Sequence, residues 1–187
     1  MQAAVKTLKI VKDPPRELEN LFRAHSRRVY RTAHRITGSP ADAEDVLQTV
    51  FLRLAKGQES YDLSQNPEAY LSRAAINASL DLMRSRSRVR SVGLEDTNAG
   101  ALESPIHNPE AQQVDRELQK LIRAAVARLG RSAAEMFTLR YYEGHDNREI
   151  AQMLDTSPMV VGVVLHRARA KLRKEISQYL KKHAPRS

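Results

Sequence analysis

Apolar residues recur at helical spacing along most of this chain, and nowhere do they alternate with the two-residue rhythm of a strand. Leu18, Leu21, Phe22, Val29, Ala33 and Ile36, with His25 among them, fall on one face and predict a helix from Glu17 to Ile36. Gly38 ends it. Ser39-Pro40 then starts a second helix, predicted over Pro40 to Lys56. The serine can accept a free N–H of the first turn, and proline suits the first helical position. Asp42, Glu44 and Asp45 sit at the positive end of the helix dipole. The apolar face of this helix is Ala43, Val46, Leu47, Val50, Phe51 and Leu54. A polar loop from Lys56 to Asn66 holds Tyr61. Asn66-Pro67 caps a third helix, with Leu71, Ala74, Ala75, Ala78 and Leu82 at helical spacing.

From Ser91 to Pro109 the periodicity disappears, and two glycines and two prolines mark a flexible linker. A fourth helix begins near Pro109 or Gln113, carries Leu118, Leu121, Ile122, Ala125 and Leu129, and stops at Gly130. Ser132 and Glu135 stand at capping-box spacing ahead of Met136, Phe137 and Leu139. Asp146 and Glu149 repeat that spacing before Ile150, Ala151 and Leu154. Ser157-Pro158 opens a last helix that reaches Tyr179. The expected fold is all-α, with two small helical domains joined by a flexible linker and the C-terminal domain a helix-turn-helix. Residues 1–16 form a flexible leader, 17–90 the first domain, 91–112 an acidic linker, 113–180 the second domain and 181–187 a basic tail.

Charge narrows the class of partner. Lys and Arg number 31 against 22 Asp and Glu, a net charge of +9. That excess favours a polyanion, although ribosomal and membrane-surface proteins share it. Its distribution is more telling. Arg84, Arg86, Arg88 and Arg90 cluster at the end of the third helix, and Arg167, Arg169, Lys171, Arg173 and Lys174 ladder the last one. Between them, residues 91–113 hold Glu95, Asp96, Glu103 and Glu110 and no Lys or Arg. Either cluster alone reads equally well as a solvated helix face. Together, each closing a helical unit around an acidic spacer, they suggest two nucleic-acid contacts.

Other chemistries find little support. Cysteine is absent, which excludes disulfides and cysteine-ligated metal and fits a reducing cytoplasm. Residues 1–20 lack a long apolar run, so neither a signal peptide nor a membrane span is expected. The six histidines form no pair at metal-ligand spacing. The Asp42, Glu44, Asp45 group has no second acidic or histidine cluster to complete a site. There is no glycine-rich phosphate loop and no nucleophile motif. No catalysis, metal or cofactor is expected.

The segment from Gly144 to Lys174, GHDNREIAQMLDTSPMVVGVVLHRARAKLRK, has a short helix, a tight turn and a long basic helix. This is the order of a helix-turn-helix whose second helix enters a DNA major groove. Three further segments accompany it: Phe22 to Arg31, Gly38 to Phe51, and Tyr70 through Asn77, Asp81 and Arg84. In this order and spacing the chain resembles the extracytoplasmic-function group of bacterial sigma-70 factors, over residues 17–90 and 113–178. The resemblance implies a cytoplasmic initiation factor that binds core RNA polymerase and promoter DNA, with an anti-sigma factor as a further candidate partner. It implies polymerase docking through Asp42, Asp45, Gln48 and Leu52. It assigns promoter melting to Asn77, Asp81, Arg84, Arg86, Arg88 and Tyr61, the loop around Tyr61 holding a flipped base. It assigns upstream DNA to Ser157, Met159, Val160, Val164, His166, Arg167, Arg169, Lys171 and Arg173, and it runs the acidic linker near the polymerase's RNA exit path. The competing classes are a stand-alone helix-turn-helix regulator, which has no use for the Asp42–Phe51 segment, and an adaptor that has lost promoter recognition.

One departure from the family stands out. Where members usually carry polar or basic side chains, this chain has Gly162, Val163 and Val164 within Met159–Leu165. Val161 and Leu165 suit a core, which leaves Met159, Val160 and Val164 facing partly outward. Such side chains can touch thymine methyls but cannot form paired bonds to guanine. Readout through phosphates and groove shape, or docking of a protein, are both open on sequence alone.

Overall fold

The computed structural model describes residues 14–56, 66–91 and 109–183. They form seven helices: α1 (Pro14–Thr37), α2 (Pro40–Ala55), α3 (Pro67–Ser91), α4 (Pro109–Ala127), α5 (Arg131–Tyr141), α6 (Asn147–Met153) and α7 (Pro158–His183). No strand occurs among the described residues. The expected leader, the Tyr61 loop, most of the acidic linker and the end of the basic tail lie outside them.

The punctuation read from the sequence sets most helix starts. Ser39 accepts the Asp42 N–H at 3.3 Å and Pro40 follows as the first helical residue. Asn66 Oδ1 accepts the Ala69 N–H at 3.0 Å. Asp146 and Glu149 form a complete capping box at α6. Gly38 makes the α1–α2 turn in the left-handed region, φ +70°, where only glycine is free of a Cβ penalty. One start differs. The fifth helix begins at Arg131 behind Gly130, without a side-chain cap. Glu135 therefore lies too far along the helix to reach back to its start. Its side chain turns to α3 instead.

Helices α1–α3 enclose one cluster of buried residues, built on Val29, Ala33, Val46, Val50, Phe51, Leu71 and Ala75. A second cluster spans α4–α7, with Val126, Leu129, Met136, Leu139, Ile150, Val161, Leu165 and Leu172. That second cluster also includes Ile36, Ile76 and Leu80, which come from α1 and α3. The two helical units thus share apolar surface. Burying large aliphatic side chains contributes roughly 1.5–3 kcal/mol each, so this contact is a principal element of the packing rather than a chance touch.

Candidate nucleic-acid interface

Helix α6, its turn and α7 form the helix-turn-helix. The turn closes by the rules of a helix C-terminus: the Thr156 N–H reaches back to the Ala151 carbonyl at 2.9 Å, while Asp155 takes φ 50°. This is the Schellman arrangement, with Asp in the left-handed position that Gly more often fills. Ser157 Oγ then accepts the Val160 N–H at 3.3 Å and starts α7. Ser157 is exposed, but its hydroxyl is engaged as a cap.

Helix α7 divides cleanly by face. Val161, Leu165, Ala168 and Leu172 are buried at the i, i+4, i+7, i+11 positions, as a one-sided stripe requires. On the opposite side, Met159 is 79% exposed, Val160 46% and Val163 45%. His166, Arg167, Arg169 and Arg173 are exposed further along. Val164, expected to face partly outward, is partly buried and packs against the edge of the core cluster. Val163 takes the outward position. The reason is angular: at about 100° per residue, Val164 lies about 60° from Val161 and about 40° from Ala168 on the buried stripe, whereas Val163 lies about 160° from both Val161 and Leu165. Lys171 is exposed, and its ammonium donates to the Arg128 carbonyl at 3.4 Å.

Of the α3 residues expected to contact melted DNA, Asn77, Asp81 and Arg84 share one side of that helix, and the end of α4 and the start of α5 lie against them. Asn77 Nδ2 donates to Glu135 Oε1 at 3.2 Å. Arg84 Nε donates to the Ala127 carbonyl at 2.9 Å, and another guanidinium nitrogen donates to the Leu129 carbonyl at 3.3 Å. Asp81 is exposed and pairs with Arg84 at 3.2 Å and with Arg131 at 4.0 Å. Arg88 is exposed, and Tyr61 lies outside the described residues. Asn77 and Arg84 are therefore not a free DNA-facing surface in this packing. The Asn77 amide nitrogen and the Arg84 guanidinium are engaged by the second helical unit, whose carbonyls at the end of α4, left without helical N–H partners, attract a guanidinium.

Sequence reasoning missed the centre of this contact. Glu135 is buried, and it accepts from Arg73 Nε at 3.0 Å as well as from Asn77. Arg73 reaches further, donating to the Met153 carbonyl at 2.8 Å. At the α1 end, Arg35 donates to the Tyr142 carbonyl at 2.9 Å and Thr32 to Glu143 at 3.1 Å. The available signal was an acid inside an otherwise apolar helix segment, which capping-box spacing disguised.

On α2, Asp45, Gln48 and Leu52 are exposed, with Leu52 at 55%. Phe22, also exposed, meets Phe51 edge-on at 4.9 Å near the same helix. Asp42 departs from expectation. It is buried beneath the α2 N-terminus and paired with Arg86. Burial pushes its carboxyl above the ordinary carboxylate range, and Arg86 opposes that shift. Two residues expected in different roles, polymerase docking and promoter melting, are thus one internal ion pair. Among the described residues, no group of three or more His, Asp or Glu could hold a metal ion. No described helix is long and apolar enough to cross a membrane.

Comparison with known proteins bears on both helical units. Residues 21–89 match the Sigma-70 region 2 family and residues 119–172 match Sigma-70 region 4. The chain is 34% identical to the ECF RNA polymerase sigma factor SigE of Mycolicibacterium smegmatis, over 89% of this chain and 62% of that protein. It is 32% identical to the RNA polymerase sigma-E factor of Streptomyces coelicolor, over 86% of each. Among solved structures, CnrH in complex with the cytosolic domain of CnrY aligns over 91% of both chains, at TM-score 0.50 and 22% identity. That likeness concerns the fold.

Proposed function

The chain belongs to the sigma-70 family, as a sigma factor of its extracytoplasmic-function group that directs transcription initiation, and we propose how its residues divide that work. Residues 17–90 dock on core RNA polymerase and open the promoter, and residues 113–180 hold the upstream element. Polymerase takes the exposed Asp45, Gln48 and Leu52 of α2. Asp42 contributes by holding Arg86 and shaping the α2 N-terminus. Asn77, Asp81, Arg84 and Arg88, with Tyr61, take the separated strand, because amide, carboxylate and guanidinium groups on one helix face can bond base edges and phosphates.

The observation that carries this reading is the opposite fate of the two faces. The α2 face is open, while Asn77 and Arg84 are bonded to α5 and to the end of α4. One hydrogen bond cannot serve two partners. Capture of DNA by those groups requires α3 to part from α4–α5, and polymerase can engage α2 before that happens. Part of the binding free energy then goes into opening the contact.

The protein acts as a regulatory subunit and not as an enzyme, in the compartment that holds polymerase and DNA. An anti-sigma factor is the further partner that family membership implies. A stand-alone regulator would need only the helix-turn-helix and leaves the match at residues 21–89 unexplained. The test is transcription in vitro by core polymerase on a promoter library, with and without the full chain. Chain-dependent initiation at a discrete set of promoters is expected. Duplex binding by the chain with no chain-dependent initiation would overturn the reading.

A further inference from the structure

We infer that the first two turns of α7 select thymine methyl groups in the upstream element, with Met159, Val160 and Val163 as the specificity-determining side chains. The inference rests on the reading that this helix enters duplex DNA, and it identifies what the helix recognises there.

The argument begins with position. These three residues are 79%, 46% and 45% exposed, and they occupy the N-terminal end of the helix. That end of a recognition helix is the part that meets base edges. The residues a groove would next encounter along the same side, His166 and Arg167, are exposed and polar, with Arg169 and Arg173 on the adjoining flank. Cations at that distance from the tip suit the phosphates that border a groove. The pattern is thus an apolar tip followed by a basic shaft.

Chemistry then selects the ligand. No side chain at positions 159 to 164 carries a hydrogen-bond donor or acceptor beyond the weak thioether of Met159. The tip cannot form the paired bonds that single out guanine or adenine. Among major-groove edges, the C5 methyl of thymine is the one apolar group. A strip of three apolar side chains is also short for a stable protein interface, and cationic rather than acidic side chains continue it. DNA is the occupant whose charge agrees with the surroundings. Gly162 leaves the approach open at its flank: a Cβ built there would meet only Asn147 Nδ2, at 3.7 Å.

The experiment uses the full chain with core polymerase. Upstream elements are first selected from randomised promoters, and each thymine of the winning element is then replaced by deoxyuridine, which removes the methyl and preserves base pairing. Each methyl in contact should be worth about fourfold in affinity, the transfer value of one buried methyl-sized group. Met159→Ala with Val163→Ala should bind the thymine element more weakly and lose most of its sensitivity to deoxyuridine. Both positions are exposed, and circular dichroism checks the fold. Because the deoxyuridine templates are read by the parent protein, the result does not depend on the variant folding. A selected element that depends on guanine, or equal binding of thymine and deoxyuridine elements, overturns the inference while leaving polymerase-dependent initiation intact. A double variant that keeps the parent's deoxyuridine sensitivity overturns it also. Failure of any promoter to respond to the chain would instead strike the sigma-factor reading itself.

Discussion

Replacing Glu135 by Ala should loosen the contact between the two helical units, and the size of the effect can be worked from the geometry. The carboxylate is buried and accepts from Arg73 at 3.0 Å and Asn77 at 3.2 Å. A hydrogen bond to a charged group contributes about 1.5–3 kcal/mol and a neutral one about 1. The Arg73 side chain is 35% exposed, so solvent takes up part of its lost charge partner and the pair term falls to the lower end of its range. Arg73 also keeps its bond to the Met153 carbonyl. The expected loss is therefore about 2–3 kcal/mol, close to the sum of a screened charge-assisted bond and an amide bond. It should appear as a lower urea midpoint at a nearly unchanged slope, with faster proteolysis between the units and a larger hydrodynamic radius under mild urea. Glu135→Gln keeps an acceptor and should recover about half the loss. The decisive measurement is a double-mutant cycle of Arg73→Ala with Glu135→Ala, for which a coupling of about 1–2 kcal/mol is expected. Additive effects, within about 0.3–0.5 kcal/mol, would refute the claim that this pair joins the units.

Gly38→Ala should cost about 1–2 kcal/mol and lower Tm, since the position has φ +70° and a Cβ there would stand 2.2 Å from Arg123 Nη1. Asp45→Lys and Gln48→Ala should weaken co-purification with core polymerase while circular dichroism stays unchanged; undiminished binding in both would remove α2 from the docking site. The Asp146 carboxyl is held below its ordinary value by the Glu149 and Arg148 N–H groups. Its stabilisation of α6 is therefore present above the unfolded value of 3.8 and lost as pH falls through the lower folded value. A thermal-melting series in acid should show Asp146→Ala losing its disadvantage against the parent only below that point. Single losses of Arg167 or Arg173 should weaken upstream binding across sequences and reduce the slope of log affinity against log salt by about one; an unchanged slope would deny them phosphate contacts.

Local rules made much of this protein legible from its residues alone. Ser39-Pro40, Asn66-Pro67, Asp146 with Glu149, and Ser157-Pro158 each satisfy free N–H groups within three or four residues of themselves, so they mark helix starts without knowledge of anything distant. The buried stripe of α7 follows from helical periodicity in the same way. The four motif segments, read together, also pointed to the family. What the sequence could not decide is which partner a side chain takes when several lie within reach. Glu135 sits at capping-box spacing from Ser132, yet α5 starts one residue ahead of Ser132 and α3 supplies Arg73 and Asn77 across a gap of about sixty residues. Asp42 looks like an exposed N-terminal acid until Arg86, at the far end of α3, is folded onto it. Val163 and Val164 are chemically identical, and only the direction of the core assigns one to solvent and the other to its edge. Pairing and facing depend on where other elements come to rest, and that is settled by burial over the whole chain rather than by any window of it.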